Sequence, residues 1–108
     1  MITTIRVAQE FSRFPAGRFV KDGPFSGELF RRKFLEPAFR MAEKVVVDLD
    51  GARGYGSSFL EEAFGGLVRL GIPKHDVKDK LEIQASNTSL KVEILDYIDK
   101  AVPILVPH

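Results

Sequence analysis

The stretch Val45–Leu70, VVVDLDGARGYGSSFLEEAFGGLVRL, decides the fold. It opens on Val45, Val46 and Val47, β-branched residues that favour a pleated backbone, so Lys44–Leu49 reads as a strand. The valine run is continuous rather than alternating, the pattern of a strand covered on both faces in a parallel or mixed sheet. Asp48 and Asp50 bracket its exit, and Gly51, Gly54 and Gly56 supply the freedom that a tight turn needs. Ser57 and Ser58 then lead into a helical pattern whose apolar face is Leu60, Ala63, Phe64, Leu67 and Val68. Ser58-Phe59-Leu60-Glu61 fits a capping box, with the Ser58 hydroxyl reaching the Glu61 N–H and the Glu61 carboxylate reaching back. Gly65 and Gly66 each cost about 1 kcal/mol inside a helix, which predicts a close approach to the sheet or to another helix. Gly71 is placed to end the helix, and Pro73 forbids its continuation.

Upstream, Ile2–Val7 alternates and reads as an edge strand. Arg18–Lys21 is expected to pair back on it as a short hairpin partner, with Pro15 to Gly17 in the turn. Phe11, Phe14, Phe19 and Phe25 are too many rings to leave in water, so Phe11–Pro24 is expected to pack as an ordered arm. Ser26 caps a helix over residues 26–42, with Phe30, Phe34, Ala38 and Met41 on one face beside Leu35, Phe39 and Ala42. Pro37 removes a backbone donor and should kink that helix near Leu35–Glu36. Downstream, Lys74–Lys80 reads as a charged connector and Leu81–Ala85 as an alternating strand. Asn87 or Thr88 caps a last helix with Leu90, Ile94, Leu95, Ile98 and Ala101 buried, ended by Pro103. The apolar tail Ile104–Val106 is expected to dock, as an edge strand or a homodimer contact. The order predicts one α/β domain over residues 1–108, with helices packed on a small mixed sheet.

Composition bounds the chemistry. The chain has 108 residues, 44% hydrophobic and 29% charged, the mixture of a soluble globular domain. With no cysteine, disulfides and thiolate metal sites are excluded, and the two histidines, His75 and His108, offer little to a metal. No apolar run approaches the roughly 20 residues that span a bilayer, so a cytoplasmic protein that neither enters a membrane nor needs a cofactor is expected. The net charge of +1 divides into a basic residues 1–42 and an acidic remainder, far short of a nucleic-acid-binding balance.

The serines carry three readings. As caps, Ser57 and Ser58 need nothing beyond helix energetics. As a phosphoacceptor, a serine at a helix N-terminus suits the added charge, because the dipole and free N–H groups stabilise it. As nucleophiles they lack a neighbouring base in the chain, and no enzyme is expected. The loop Gly51, Arg53, Gly54, Tyr55, Gly56 is a candidate ligand or partner loop, with Arg53 as the supplementary cation and Phe59 as either a core plug or an anchor. Phe59 points about 100° from Leu60, so it is expected to reach the N-terminal arm or a partner. Asp48 and Asp50 form either a hard-metal pair or, more in keeping with a strand exit, turn formers. Arg18, Lys21, Arg31 and Arg32 read as a contact for an acidic partner or as a solvated rim.

The blocks DGPFSGELFR (Asp22–Arg31) and VVVDLDGARGYGSSFLEEAFGGL (Val45–Leu67), together with FSRFPAGRF (Phe11–Phe19), resemble the bacterial STAS-like family of unknown function. That family is a distant relative of STAS domains, the fold of anti-sigma-factor antagonists and sulphate-transporter tails. The resemblance implies a mixed sheet with helices mainly on one face. It also implies a non-enzymatic regulatory module, in which a histidine-kinase-like ATPase phosphorylates a serine or threonine at the strand-to-helix loop. The matching positions are Ser57 and Ser58. The chain departs from the STAS antagonist pattern at Gly56, where an acidic residue typically precedes the serine, and at Phe59, where a glycine typically follows.

Overall fold

The computed structural model of the protein describes residues 1–104. The valines form the middle of a three-stranded parallel sheet: β1 (Ile2–Arg6), β2 (Lys44–Asp48) and β3 (Leu81–Gln84) lie in the order β1-β2-β3. Ile5 stands opposite Val47, and Val47 opposite Ile83. Because side chains alternate along a strand, Ile5, Val45, Val47 and Ile83 turn to one face, where all four enter the buried core. The other face carries the exposed Ile2, Thr4, Arg6 and Gln84. Val46 is buried there between its register partners Thr4 and Glu82, beside the Lys44–Glu82 ion pair. Helices therefore cover one face. The valine run is unbroken because strand neighbours shelter Val46, not because a second helical layer does.

The hairpin partner expected at Arg18–Lys21 does not form. Val20–Asp22 is a 3₁₀ turn, and the Asp22 carboxylate accepts the Phe19 N–H at 2.8 Å, taking an amide that a strand would have used. The backbone of 16–18 bonds instead to 25–28: Ala16 N–H to Phe25 O, Gly27 N–H to Gly17 O, and Glu28 N–H to Arg18 O. Among the described residues the sheet is thus parallel throughout rather than mixed. The arm is an ordered strap, yet of its phenylalanines only Phe11 packs against the core, its ring 5.2 Å from that of Phe30 and 5.8 Å from that of Phe34. Phe14, Phe19 and Phe25 stay 60%, 41% and 39% exposed. Phe19→Ala therefore falls short of the roughly 3 kcal/mol that a fully buried ring would cost.

Parallel neighbours require crossovers. β1 leaves through one π turn, Val7–Phe11, and the strap, into α1 (residues 27–41), which returns the chain to β2. Ser26 caps α1 as expected, its hydroxyl accepting the Leu29 N–H at 3.1 Å. Inside α1 the turn Arg31–Leu35 is π, with the Glu36 N–H reaching back to Arg31 O. That wide turn accommodates Pro37, which has no N–H to give. It also shifts the buried face to Phe30, Leu35, Ala38 and Phe39, and Met41 comes out exposed instead of inward.

β2 passes through the loop 49–56 into α2 (residues 57–69), again with a π turn at Glu61–Gly65. Phe59, Leu60, Ala63, Phe64, Leu67 and Val68 are all buried, so α2 is the central helix, packed between α1 and the last helix. The predicted stop is present: Gly71 N–H bonds Val68 O and Ile72 N–H bonds Leu67 O, the paired bonds of a Schellman end. Lys74–Lys80, read as a connector, is the helix α3, begun by Pro73 and anchored by the fully buried Val77. One apolar residue in seven leaves no period to read. α4 (Thr88–Lys100) is capped by the Asn87 side chain, which accepts the Ser89 N–H at 3.0 Å, and it buries Ile94 and Ile98. Ile104 N–H bonds Arg69 O, while Leu105 and Val106 of the expected docking tail lie outside the described residues. Among the described residues no helix is long and apolar enough to cross a membrane.

Candidate functional site

The carboxyl ends of β2 and β3 open onto a cleft of about 380 Å³ lined by Asp50, Arg53, Tyr55, Ser86, Asn87 and Leu90, together with Gly51 and Gly54 of the loop. Each part is held from within the loop. Gly51 takes φ +94° and makes the turn, a conformation that Gly54 and Gly56 do not share. Asp48 accepts the Asp50 N–H at 2.9 Å, and Asp50 clasps Ser86 through its N–H at 2.8 Å and its hydroxyl at 3.0 Å. The two aspartates are therefore turn formers that tie the β2 exit to the β3 exit. Tyr55 donates its hydroxyl to Leu49 O at 2.7 Å. Burial, with Asp48 and Asp50 nearby, pushes its pKa well above the usual phenol value, so the phenol stays protonated at neutral pH. Arg53 N–H bonds Arg13 O at 2.8 Å, and its guanidinium lies 5.8 Å from the Phe14 ring centre, which fastens the loop to the strap. Asn87 entered the sequence reading only as a cap and Ser86 not at all; the parallel register brings both to the loop.

The serines sit differently from the capping-box expectation. Gly56 is the N-cap of α2, and no side chain caps this end. Ser57 and Ser58 are the first two helical residues, and both are exposed. Glu61 is turned away to Arg18 and Arg69, so it cannot close a box with Ser58. The Ser57 hydroxyl lies beside the phenol of Tyr97, which donates to Glu93. Phe59 resolves as a core plug: fully buried, its ring lies 5.9 Å from Phe30, 5.9 Å from Tyr55 and 6.3 Å from Phe11 of the arm.

Two of the three candidate partner arginines face inward. Arg31, 6% exposed, bonds Glu62 through both its carboxylate and its backbone carbonyl, and bonds Glu36 at 3.0 Å. Arg18 reaches Glu61 and Glu62 from the strap, and Arg69 reaches the same pair from two turns further along α2. Arg32 alone stays on the surface, with Glu28 at 3.7 Å. Burial pushes the Glu61 carboxyl up, but hydrogen bonds from Arg69 and Arg18 outweigh this and hold it below its usual range. A carboxyl depressed in the fold contributes stability above its unfolded pKa and loses it as pH falls through the folded one. The melting temperature should therefore drop as pH is lowered from about 4.3, and Glu61→Gln should flatten that acid limb. An acid limb of unchanged steepness in Glu61→Gln would place its origin elsewhere.

Among the described residues no group of three or more His, Cys, Asp or Glu side chains gathers to hold a metal. No curated protein and no solved structure matches the chain. The stretch that runs from the cap of α1 through the loop and α2 to the first turn of α4, residues 26–91, matches the STAS-like domain of unknown function (DUF4325); this is more than half the chain, and the protein belongs to that family.

Proposed function

We propose that the domain is a non-enzymatic regulatory module of the cytoplasm that binds a protein partner at the Gly51–Ser58 loop. Its binding is switched when a histidine-kinase-like ATPase phosphorylates Ser57 or Ser58. The observation that carries this reading is that both serines are exposed at an uncapped helix N-terminus beyond the central strand. Neither hydroxyl is engaged in a cap, and a phosphate there would meet the first-turn N–H groups and the positive end of the helix dipole.

The test begins with the domain as bait, the recovered proteins identified by mass spectrometry, and the recovered ATPase then incubated with the domain and ATP. Phosphate should appear on wild type and vanish in the Ser57→Ala/Ser58→Ala variant. Ser57→Asp should lose the partner while keeping a native circular dichroism spectrum. Ser58→Ala alone should change stability by less than about 0.5 kcal/mol, because the hydroxyl caps nothing. If Ser57→Asp and Ser58→Asp both bind every partner as wild type does, and no phosphate appears, the switch is excluded.

The cleft supports a second reading, a small-ligand or nucleotide sensor, since about 380 Å³ lies within the range of small-molecule sites. Ligand-dependent thermal stabilisation lost in Asn87→Ala, with no protein partner recovered, would favour the sensor over the switch.

A further inference from the structure

The strap exposes aromatic surface that the fold does not use. Phe14, Phe19 and Phe25 keep large parts of their rings in water, although the core aromatic cluster reaches Phe25, whose ring is 5.7 Å from Phe11, edge to face. The strap is not loose, since its backbone bonds and the Arg18 pairs fix it to α1 and α2. Rigidly held, exposed aromatic rings are what interaction surfaces are enriched in, because they bring contact area at small entropic cost.

The charges around these rings are mostly positive in what they leave free. The Asp22 carboxylate is engaged by the Phe19 N–H, and Glu28 by the Val20 N–H and Arg32. Arg13, Lys21 and Arg53 have no carboxylate partner among the described residues, and two of them stand over the exposed rings: Lys21 is 5.9 Å from the centre of Phe19, Arg53 5.8 Å from that of Phe14. We infer that the strap is a docking surface for an acidic, apolar protein segment, one whose Asp or Glu side chains meet Arg13, Lys21 and Arg53 while its apolar side chains lie against the rings of Phe14, Phe19 and Phe25.

Charge complementarity selects this occupant over two others. A second copy of the chain docking through the same patch would set these cations against themselves. An anionic bilayer is held by clusters of about 4–8 Lys or Arg, more than the strap leaves free. The surface borders the Gly51–Ser58 loop at Arg53 but contains neither serine, and both variants of the test lie outside that loop, so its proof or failure leaves the switch reading standing.

The probe is a random peptide library displayed on phage and panned against the intact domain. The enriched sequences are then synthesised and titrated against wild type, Phe14→Ser/Phe19→Ser and Arg13→Ser/Lys21→Ser. Enriched peptides should carry several Asp or Glu around one or two large apolar residues. They should weaken at least about tenfold in either variant, and likewise on raising NaCl from about 0.1 M to about 0.5 M. Both variants should melt within a few degrees of wild type, because the substituted side chains are exposed. Four outcomes overturn the proposal. They are no enrichment, enriched sequences without an acidic excess, binding indifferent to both variants, and sedimentation with phosphatidylserine vesicles or as a dimer that Phe14→Ser/Phe19→Ser abolishes.

Discussion

Arg31→Met should cost the domain about 3–5 kcal/mol, the range for removing one partner of a buried ion pair, although methionine roughly keeps the length of the arginine stem. The cost comes from what is left behind. Glu62 is 8% exposed and lies against α1, and without Arg31 its carboxylate keeps only the 3.4 Å approaches of Arg18 and Arg69. Glu36 loses its close partner too and retains Arg40 at 3.8 Å on the surface. The pair as a whole is a different quantity, because bringing both charges out of water already consumed much of their attraction. The double variant Arg31→Met/Glu62→Leu should therefore recover at least half of the loss. Urea denaturation of wild type, Arg31→Met, Glu62→Leu and the double variant decides it. A single variant within about 1 kcal/mol of wild type, or a double variant as unstable as the sum of the singles, would show that Arg31 and Glu62 are not the lock between α1 and α2.

This lock also explains what the sequence could and could not disclose. β2, the loop and α2 were legible because each has a local cause: β-branched residues, glycines at a turn, and an apolar face at helical spacing. The caps at Ser26, Asn87 and Gly71 were legible for the same reason, since their partners lie within a few residues. Arg31 was not. It opens a run of three cations, Arg31-Arg32-Lys33, which reads as solvated surface, and the glutamate that draws it inward stands 31 positions away. Glu61 was misassigned to Ser58 by the same limit: the capping box is a local rule, and the long-range pull of Arg18 and Arg69 won. The π turn in α1 displaced the helical phase, which is why Met41 was placed on the buried face. At the candidate site the loop was found, but Ser86 and Asn87 join it only through a parallel register that no local pattern encodes.

Gly27→Ala should destabilise the domain by about 2–3 kcal/mol, against the sign that helix propensity predicts, since alanine in a helix is ordinarily better than glycine by about 1 kcal/mol. A Cβ on Gly27 would overlap the carbonyl oxygen of Phe59 and stand 3.2 Å from the Glu62 Cβ, so the first turn of α1 would have to lift off the first turn of α2. The obstacle is backbone, which cannot rotate aside. Gly66→Ala should act in the same direction for a related reason, because its Cβ would collide with the guanidinium of Arg31, and that group is fixed by Glu36 and Glu62. Gly54→Ala supplies the control: its Cβ meets nothing within 4 Å and its φ is not positive, so it should be neutral or gain about 0.4–1 kcal/mol through the unfolded chain. Should Gly27→Ala melt at or above wild type, the contact between the two helix starts would not be tight. The order Gly54→Ala at or above wild type, and wild type above Gly27→Ala, is what contact across the α1–α2 seam requires. The seam also positions the site: Phe59, whose carbonyl Gly27 admits, directly follows the two serines, so lifting α1 from α2 disturbs the helix start that presents them.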